Sequence, residues 1–330
     1  MILSVLCVTL IGGGDRTEDQ GAGVARISFL WLELTGFCQL ECDHCYAGSG
    51  PSGTHGSMTR ADWLRVIDQA AAAGVGMVQF IGGEPTLHPD LRELIAHALA
   101  AGLEVEVFTN LVHVTAPLWE MFTRPGVSLA TSYYSDDPDQ HAQVTRRPSH
   151  ARTRANIAAA LRRGIPLRAG VIDMGGDQRA TQAQTELVDL GVPAVGYDRL
   201  RQVGRGVRDQ APSTDQLCGN CGDGVAAISP DGAVWPCVFS RWLPVGNVLE
   251  HELTEILDSP AADAVRAELA AAFAGRAPSA CKPDCAPKNQ PCNPDCTPSC
   301  NPHCQPTCSP RCSPTCDPVR CKPNSCWPRY

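Results

Sequence analysis

The chain has 330 residues, enough for one large domain with smaller attachments and an ample hydrophobic core. Its formal net charge of −8 argues against a surface that binds nucleic acid or an anionic membrane. Eighteen cysteines are present, and most of them fall at regular spacings.

The N-terminal segment, residues 1–24, opens with the apolar stretch MILSVLCVTLI. This stretch is too short to cross a bilayer and no basic residue precedes it, so it predicts a buried strand or an irregular start rather than a signal peptide. The next apolar run, ISFLWLEL at 27–34, is rich in aromatic and branched residues and predicts a buried parallel strand. Thr59 then begins a predicted helix that stops at Gly74, and MVQFI at 77–81 is the second predicted strand.

The alternation of strand and helix continues to about Val207. His88-Pro89 starts a helix that ends at Gly102, with proline in its first turn. Four more strands are predicted at 104–109, 127–133, 166–172 and 193–197, separated by helical stretches around 116–123, 150–163 and 179–190. Six strand–helix units in series imply an α/β fold with a parallel sheet, either open or a partial barrel. In such folds the active site lies at the carboxyl ends of the strands.

Cys38, Cys42 and Cys45 follow the first strand in the stretch FCQLECDHCYA. Structural zinc usually takes four ligands from paired C-x-x-C knuckles, and a disulfide would leave one thiol over. Three thiolates at C-x-x-x-C-x-x-C spacing fit best a 4Fe–4S cluster that leaves one iron open to another ligand. The segment Gly82–Pro85 follows the second strand, so both loops are predicted to open on the same face.

The cysteine motif followed by Gly82-Gly83-Glu84-Pro85 resembles the radical S-adenosylmethionine (radical SAM) superfamily, as do the longer phrases LELTGFCQLECDHCYA and VQFIGGEPTLHPDL. The resemblance covers about residues 25–210 and implies a partial (β/α)6 barrel of the TIM type. It also implies an enzyme in which a reduced 4Fe–4S cluster cleaves SAM, and the 5′-deoxyadenosyl radical formed takes hydrogen from the substrate. A flavodoxin or a ferredoxin is the kind of electron donor that the resemblance implies.

The same resemblance implies further cofactor contacts. The backbone of the Gly82–Pro85 turn and the Glu84 side chain are expected to receive the methionine amino group, with glycine allowing close backbone approach. The backbone of His44 is expected to meet the adenine, and Asn110 and Ser132 to contact the ribose or the methionine carboxylate. The alternative for Asn110 and Ser132 is ordinary loop capping at a strand exit. No catalytic acid or base is assigned.

Cys218, Cys221 and Cys237 lie in a region of different character, predicted at 211–276. VAAIS and AVWPC flank a Pro-Asp-Gly turn, which predicts a β-hairpin, and the stretch ADAVRAELAAAFAG suits a helix. A cysteine, then Gly232, then four residues and Cys237 resemble the opening of the SPASM extension. That resemblance implies one or two auxiliary 4Fe–4S clusters. A zinc knuckle is the alternative for Cys218-x-x-Cys221.

The last predicted region, residues 277–330, is rich in cysteine and proline. The dense proline excludes a helix or a central strand, so order there must come from metal, disulfides or docking. Its first cysteines approximate the second half of the SPASM pattern with longer gaps, and the candidate ligands are Cys281, Cys285, Cys292, Cys296 and Cys300. Two clusters need eight thiolates, so at least six of the fourteen cysteines from residue 218 onward are surplus. A metal sink, a disulfide store or a repeat expansion would each explain them.

These features predict a radical SAM enzyme with a SPASM-like region in a reducing cytoplasm. Resemblance to SPASM proteins favours the maturation of a ribosomally made peptide by crosslinking, epimerisation or oxidation. Radical oxidation of a sugar or another small metabolite is one alternative, and a metal-buffering or scaffold protein is another. About 24 residues precede the first strand, so recognition of a leader peptide is expected to need a separate leader-binding protein, the barrel loops or the tail.

Overall fold

A computed structural model describes residues 27–274, which form a parallel sheet with helices packed outside it. The six parallel strands are β1 Phe29–Thr35, β2 Met77–Gly82, β3 Glu104–Phe108, β4 Val127–Tyr133, β5 Leu167–Asp173 and β6 Ala194–Arg199. The helices between them are α1 Arg60–Ala72, α2 Leu91–Ala100, α3 Ala116–Phe122, α4 Pro138–Thr145, α5 His150–Arg162 and α6 Ala180–Asp189. Each of the six predicted strands is present, with bounds that differ by no more than two residues.

The strands lie in the sheet in their sequence order. Each neighbouring pair from β1–β2 to β5–β6 is parallel, so the order in space is β6-β5-β4-β3-β2-β1. A chain that always winds in one direction curls into a barrel, whereas an open doubly wound sheet reverses its strand order at a switch point. The prediction of a partial barrel is therefore confirmed.

β1 shows how each strand separates two layers of the molecule. Leu30, Leu32 and Leu34 are fully buried and pack in the core between the sheet and the helices. Trp31 and Glu33 alternate with them, so they lie on the inner face of the barrel. There Trp31 packs against residues that come much later in the chain. The strand is an almost continuous apolar run because both of its faces are covered.

α1 begins and ends at the signals that predicted it. The Thr59 hydroxyl accepts a hydrogen bond from the Asp62 N–H, and the Asp62 carboxylate accepts one from the Thr59 N–H. Gly74 follows the last turn with a φ of +78°, a left-handed conformation that favours glycine. The chain then enters β2 at Met77.

α4 was not predicted from the sequence. This helix is short and polar, and within it His141 and Thr145 are the buried residues, so an apolar period is lacking. Its first turn is capped by Asp137, whose carboxylate accepts hydrogen bonds from the two N–H groups at 139 and 140. The helix ends at Arg146, which has a φ of +59°.

The region after β6 extends the same sheet. Its elements are β7 Val225–Ile228, β8 Ala233–Trp235, β9 Gly246–Asn247, α7 Leu253–Leu257 and α8 Pro260–Ala274. β7 and β8 form the predicted hairpin, and the predicted final helix is α8. β7 also pairs in parallel with β1, which the sequence did not predict. This auxiliary region, residues 211–274, is thus joined to the barrel by backbone hydrogen bonds.

Some predicted features lie outside residues 27–274. They are the N-terminal segment 1–24 and the tail 277–330 with its candidate ligands Cys281, Cys285, Cys292, Cys296 and Cys300. The domain boundaries near 24, 210 and 276 stay predictions. Within the described part of the chain, no helix combines the length and the apolar content that crossing a membrane requires.

Candidate active site

Three loops meet at the carboxyl ends of neighbouring strands. The cysteine loop, residues 36–50, follows β1; the GGEP turn, Gly82–Pro85, follows β2; and Asn110 follows β3. β1, β2 and β3 are adjacent and parallel, so these loops lie side by side. Strand order alone therefore assembles the site at the edge where barrel enzymes carry their chemistry.

Backbone hydrogen bonds give the cysteine loop a defined shape. Cys38 N–H donates to Gly50 O at 3.0 Å, which closes the loop at its base. Cys45 N–H donates to Cys42 O at 3.2 Å, which makes a tight turn between the second and third cysteines. The backbone therefore fixes the course of the loop that carries the three cysteines and holds the second and third of them in one turn.

The end of α4 fastens the cysteine loop from one side. Asp43 N–H donates to Val144 O at 3.0 Å. Arg146 donates from Nε and Nη2 to the two oxygens of the Asp43 carboxylate at 2.6 and 2.7 Å. Such a two-point ion pair fixes orientation as well as distance. The unpredicted helix thus has a clear role, since it positions the loop that carries the cysteines.

The thiols of the cysteine loop fit the ligands of an iron–sulfur cluster. Cys38 is buried, and its sulfur accepts hydrogen bonds from Leu40 N–H at 3.4 Å and Asn110 Nδ2 at 3.7 Å. Burial and the Glu84 charge raise the pKa of Cys38 to about 12, and burial also raises the pKa of Cys42. A thiol in such surroundings ionises when a bound metal takes up the charge, and hydrogen bonds to sulfur then stabilise the thiolate.

The two glycines of the GGEP turn lie against the backbone where β1 ends and the cysteine loop begins. Gly82 has a φ of +136°, and a Cβ there would lie 2.5 Å from Thr35 O. At Gly83 a Cβ would lie 2.3 Å from Phe37 O. Both positions therefore require glycine. The predicted close backbone approach is made here to the cysteine loop, and Pro85, at the end of the turn, is buried.

Glu84 is fully buried and ties the exits of β2 and β3 together. Its Oε1 accepts hydrogen bonds from the hydroxyls of Thr86 and Thr109, each at 2.6 Å, and from Thr86 N–H at 3.1 Å. Oε2 accepts from Asn110 N–H at 2.8 Å. Burial raises the pKa of Glu84, and the hydrogen bonds oppose that rise. Oε2 retains a lone pair for one more donor, and its contact with a methionine amino group stays a prediction.

The remaining expected cofactor contacts lie at the same edge of the sheet. Asn110 Oδ1 accepts from Gln39 Nε2 at 3.1 Å, so the Asn110 side chain reaches into the cysteine loop. The His44 ring packs edge-on against Tyr134 at 4.9 Å, and burial lowers the pKa of His44 to about 4, which leaves the ring neutral at pH 7. Ser132 lies one residue before the end of β4. Their roles toward the cofactor stay predictions.

Cys218, Cys221 and Cys237 come together beside the hairpin of β7 and β8. Cys221 and Cys237 are buried with their sulfurs 2.9 Å apart, and Cys218 hydrogen-bonds to Cys221. The hairpin turn makes this possible: Gly232 has a φ of +82°, and the turn places the end of β8 beside the start of β7. Thiolates are ligands that iron–sulfur clusters and zinc both take, and the role of these three cysteines as metal ligands stays a prediction.

A buried ion pair that the sequence did not predict connects the barrel to the auxiliary region. Arg241 Nη1 donates to both oxygens of Glu33 at 2.8 and 2.6 Å, and Glu33 is 1% exposed. The Arg241 guanidinium also lies over the Trp235 ring, 4.2 Å from its centroid. A glutamate within an apolar strand was one available signal, because a buried charge needs a partner. The partner itself is 208 residues away and carries no comparable signal.

The number of clusters can be tested at the core site. Replacing Cys38, Cys42 and Cys45 together by alanine should abolish SAM cleavage but leave about two-thirds of the iron and sulfide if three clusters of similar size are present. Iron and sulfide analysis after anaerobic reconstitution measures this. Loss of all iron from a folded protein would contradict the auxiliary sites, and zinc in place of iron would favour the knuckle interpretation of Cys218 and Cys221.

Two protein-family models match the chain. One is the radical SAM superfamily, which matches residues 32–179. The other is SPASM, an iron–sulfur cluster-binding domain, which matches residues 205–286. The first match contains the cysteine loop and the GGEP turn, and the second contains Cys218, Cys221 and Cys237. The two matches follow the order of the two sites along the chain.

Relatives of the chain include PqqA peptide cyclases from two bacterial genera. The protein from Xanthomonas campestris pv. campestris (strain 8004) is 29% identical, and the similarity covers 71% of this chain and 70% of the relative. The protein from Streptomyces rochei is 26% identical, with coverage of 68% of this chain and 74% of the relative.

Solved structures with the same fold include Streptococcus suis SuiB bound to the precursor peptide SuiA. The TM-score is 0.62 at 15% sequence identity, over 73% of this chain and 67% of that one. Native anSMEcpe with bound AdoMet gives a TM-score of 0.56 at 10% identity, over 72% of this chain and 82% of that one. At these identities the similarity establishes the shared fold.

Proposed function

This chain belongs to the radical SAM superfamily and carries a SPASM iron–sulfur region, and from that membership we propose that it modifies a ribosomally made peptide. It is an enzyme whose cofactors are SAM and iron–sulfur clusters. The observation that carries the peptide proposal is the similarity to PqqA peptide cyclases over about two-thirds or more of both chains. The candidate reactions are crosslinking, epimerisation and side-chain oxidation.

The chain's own residues contribute chiefly by positioning. When bound, the cluster and SAM supply a radical able to remove hydrogen from an unactivated carbon. Cys38, Cys42 and Cys45 would hold the cluster, and the GGEP turn keeps the cysteine loop in place through the contacts of Gly82 and Gly83.

The inner face of the barrel supports a substrate without strong net charge. Arg168 donates from Nε and Nη2 to the Glu106 carboxylate at 2.7 and 2.6 Å, and Gln79 donates to the same carboxylate. Arg241 is likewise paired with Glu33. A phosphorylated sugar would call for a cation that is not already neutralised by a carboxylate. Paired charges on this face are better suited to the amide groups of a peptide.

The remaining assignments are part of the same proposal. Electrons would come from a flavodoxin or a ferredoxin, and the leader of the precursor peptide would be bound by a separate protein. A reducing cytoplasm suits clusters that oxygen destroys and thiols that must stay reduced.

The proposal is tested with the full-length protein and the short peptides encoded beside its gene. Anaerobically reconstituted protein, SAM and dithionite are incubated with each peptide, and mass spectrometry follows the products. We expect one peptide to lose a pair of hydrogens, or to exchange one hydrogen at a single carbon, in proportion to the 5′-deoxyadenosine formed. Peptide deuterated at the reacting residue should transfer deuterium to 5′-deoxyadenosine, because the same hydrogen is removed.

The control for this experiment is the Cys42→Ala variant, which should leave every peptide unchanged. If all peptides stay unmodified while the wild-type protein oxidises a sugar from a neighbouring pathway, the peptide proposal is wrong and the metabolite alternative replaces it. SAM cleavage without any substrate would show that the radical chemistry is intact, so failure of the peptide proposal is distinguishable from an inactive preparation.

A further inference from the structure

A short turn that follows β6 lies directly against the cysteine loop. This Gly-Arg-Gly turn, Gly204–Gly206, contacts a segment about 160 residues earlier in the chain. Gly204 has a φ of +59°, and a Cβ there would lie 2.2 Å from Tyr46 O. Arg205 N–H donates to Cys45 O at 3.0 Å. The glycine permits an approach so close that the backbones of the two segments are hydrogen-bonded.

The Arg205 side chain extends this contact across the cysteine loop. Its Nε donates to Cys42 O at 2.9 Å, and its Nη2 donates to Ser49 O at 2.6 Å. One rigid guanidinium therefore joins the middle of the loop to its end. A lysine carries a single donor group on a flexible stem and cannot hold two carbonyls in this fixed geometry.

Arg205 also differs electrostatically from Arg146, the arginine on the other side of the loop. Arg146 is neutralised by the Asp43 carboxylate. The Arg205 guanidinium instead donates to carbonyl oxygens, and within residues 27–274 no carboxylate forms an ion pair with it. The side chain is partly buried, so water screens it less than it screens an exposed arginine.

We propose that Arg205 tunes the SAM-binding cluster, holding the cysteine loop with its guanidinium and favouring the reduced cluster with its positive charge. Reduction adds one negative charge to the cluster. A fixed cation next to the ligands stabilises that charge more than it stabilises the oxidised form, which raises the reduction potential. The inference concerns the cluster alone and is independent of the substrate.

The test uses three single variants of the full-length protein, reconstituted anaerobically. The potential of the cluster whose EPR signal changes on SAM addition is measured by redox titration, beside iron and sulfide content. Arg205→Gln should lower the equilibrium constant for reduction at least about tenfold, which is ~59 mV for one electron. Arg205→Lys keeps the charge and should stay within about twofold of wild type, with weaker retention of iron.

Arg162→Gln is the matched control, because Arg162 is exposed at the end of α5, which lies at the amino ends of the strands and so away from the cysteine loop. It removes the same charge and should change the equilibrium constant by less than about twofold. Equal potentials in wild type and Arg205→Gln would overturn the proposal, and so would equal shifts in Arg205→Gln and Arg162→Gln. If Arg205→Gln binds no cluster at the core site, the Arg205→Lys variant tests the charge instead, because it keeps the positive charge without the guanidinium. A loaded cluster with near wild-type potential supports the proposal, whereas an empty site would mean that guanidinium geometry alone matters.

Discussion

Cys42→Ala is expected to reduce the formation of 5′-deoxyadenosine from SAM to the level of a protein-free reaction. Loss of a partner in the outer shell of a metal site typically costs 10- to 100-fold in metal affinity or activity, so loss of a ligand should exceed about a hundredfold. The backbone contacts of residue 42, to Cys45 N–H and to Arg205 Nε, involve its carbonyl and survive the substitution. The defect should therefore come from the thiol itself. Chromatography of the quenched, dithionite-reduced reaction measures it.

Cys7→Ala provides the control for this result. It makes the same chemical change at a cysteine that belongs to none of the predicted ligand sets, and it should retain wild-type product formation. The core assignment is wrong if Cys42→Ala forms as much 5′-deoxyadenosine as the wild-type protein.

Arg241→Gln is expected to lower the free energy of unfolding by about 3 kcal/mol. Removing one partner of a buried ion pair leaves an uncompensated charge and typically costs about 3–5 kcal/mol. Glu33 is 1% exposed, whereas the Arg241 side chain is 27% exposed, so a value near the lower limit is expected. The variant also loses the stacking of the guanidinium on Trp235. Urea unfolding followed by circular dichroism under anaerobic conditions gives the difference.

The effect of Arg241→Gln should also depend on pH. Burial raises the pKa of Glu33, and Arg241 holds that rise back, so removing Arg241 raises the pKa of Glu33 further. A carboxyl whose pKa is raised in the folded state binds its proton more tightly there than in the unfolded chain. Stability is then lost as pH rises from the unfolded pKa toward the folded one. The gap between wild type and Arg241→Gln should widen with rising pH and narrow on acidification.

Two further variants make this interpretation specific. Glu33→Gln combined with Arg241→Gln removes the orphan charge and should be more stable than Arg241→Gln alone. Arg60→Gln breaks an exposed pair with Asp90 and should change stability far less, because surface pairs contribute little. A loss in Arg241→Gln that is the same at all pH values would show that Glu33 is not its source.

The strands of the barrel and the order of the two motif loops could be predicted from sequence because their signals are local. β1, β2 and β4 are largely apolar strands that end near glycine or a polar residue, and their burial on both faces makes that pattern stand out, whereas β3 was recognised by its alternating valines. α4 was not predicted because it lacks such a local signal: a short polar helix with two buried residues has no apolar period. Its existence depends on the Asp137 cap and on contacts with the cysteine loop.

The chemistry of the site was also accessible from residue types and spacing. Three thiols at fixed intervals after one strand, and a glycine pair after the next, specify which groups can hold a cluster and its cofactor. The structure adds a physical reason for the two glycines, since both contact protein backbone. Gly83 is required by the carbonyl of Phe37, and Glu84 ties two strand exits together, which the spacing of the motif does not reveal.

The sequence by itself determined the fold class and the family resemblance, and it predicted the cysteines that would hold the core cluster, because strand and helix periods and the two motifs are each local patterns. Tertiary structure alone decided which distant side chains support that site. Arg205 reaches Cys42 across 163 residues and Arg241 reaches Glu33 across 208. β7 lies beside β1 only once the barrel has wound round to present that edge. Such partners are selected by the packing of the whole barrel, and an arginine that will be paired looks in sequence like one that faces water.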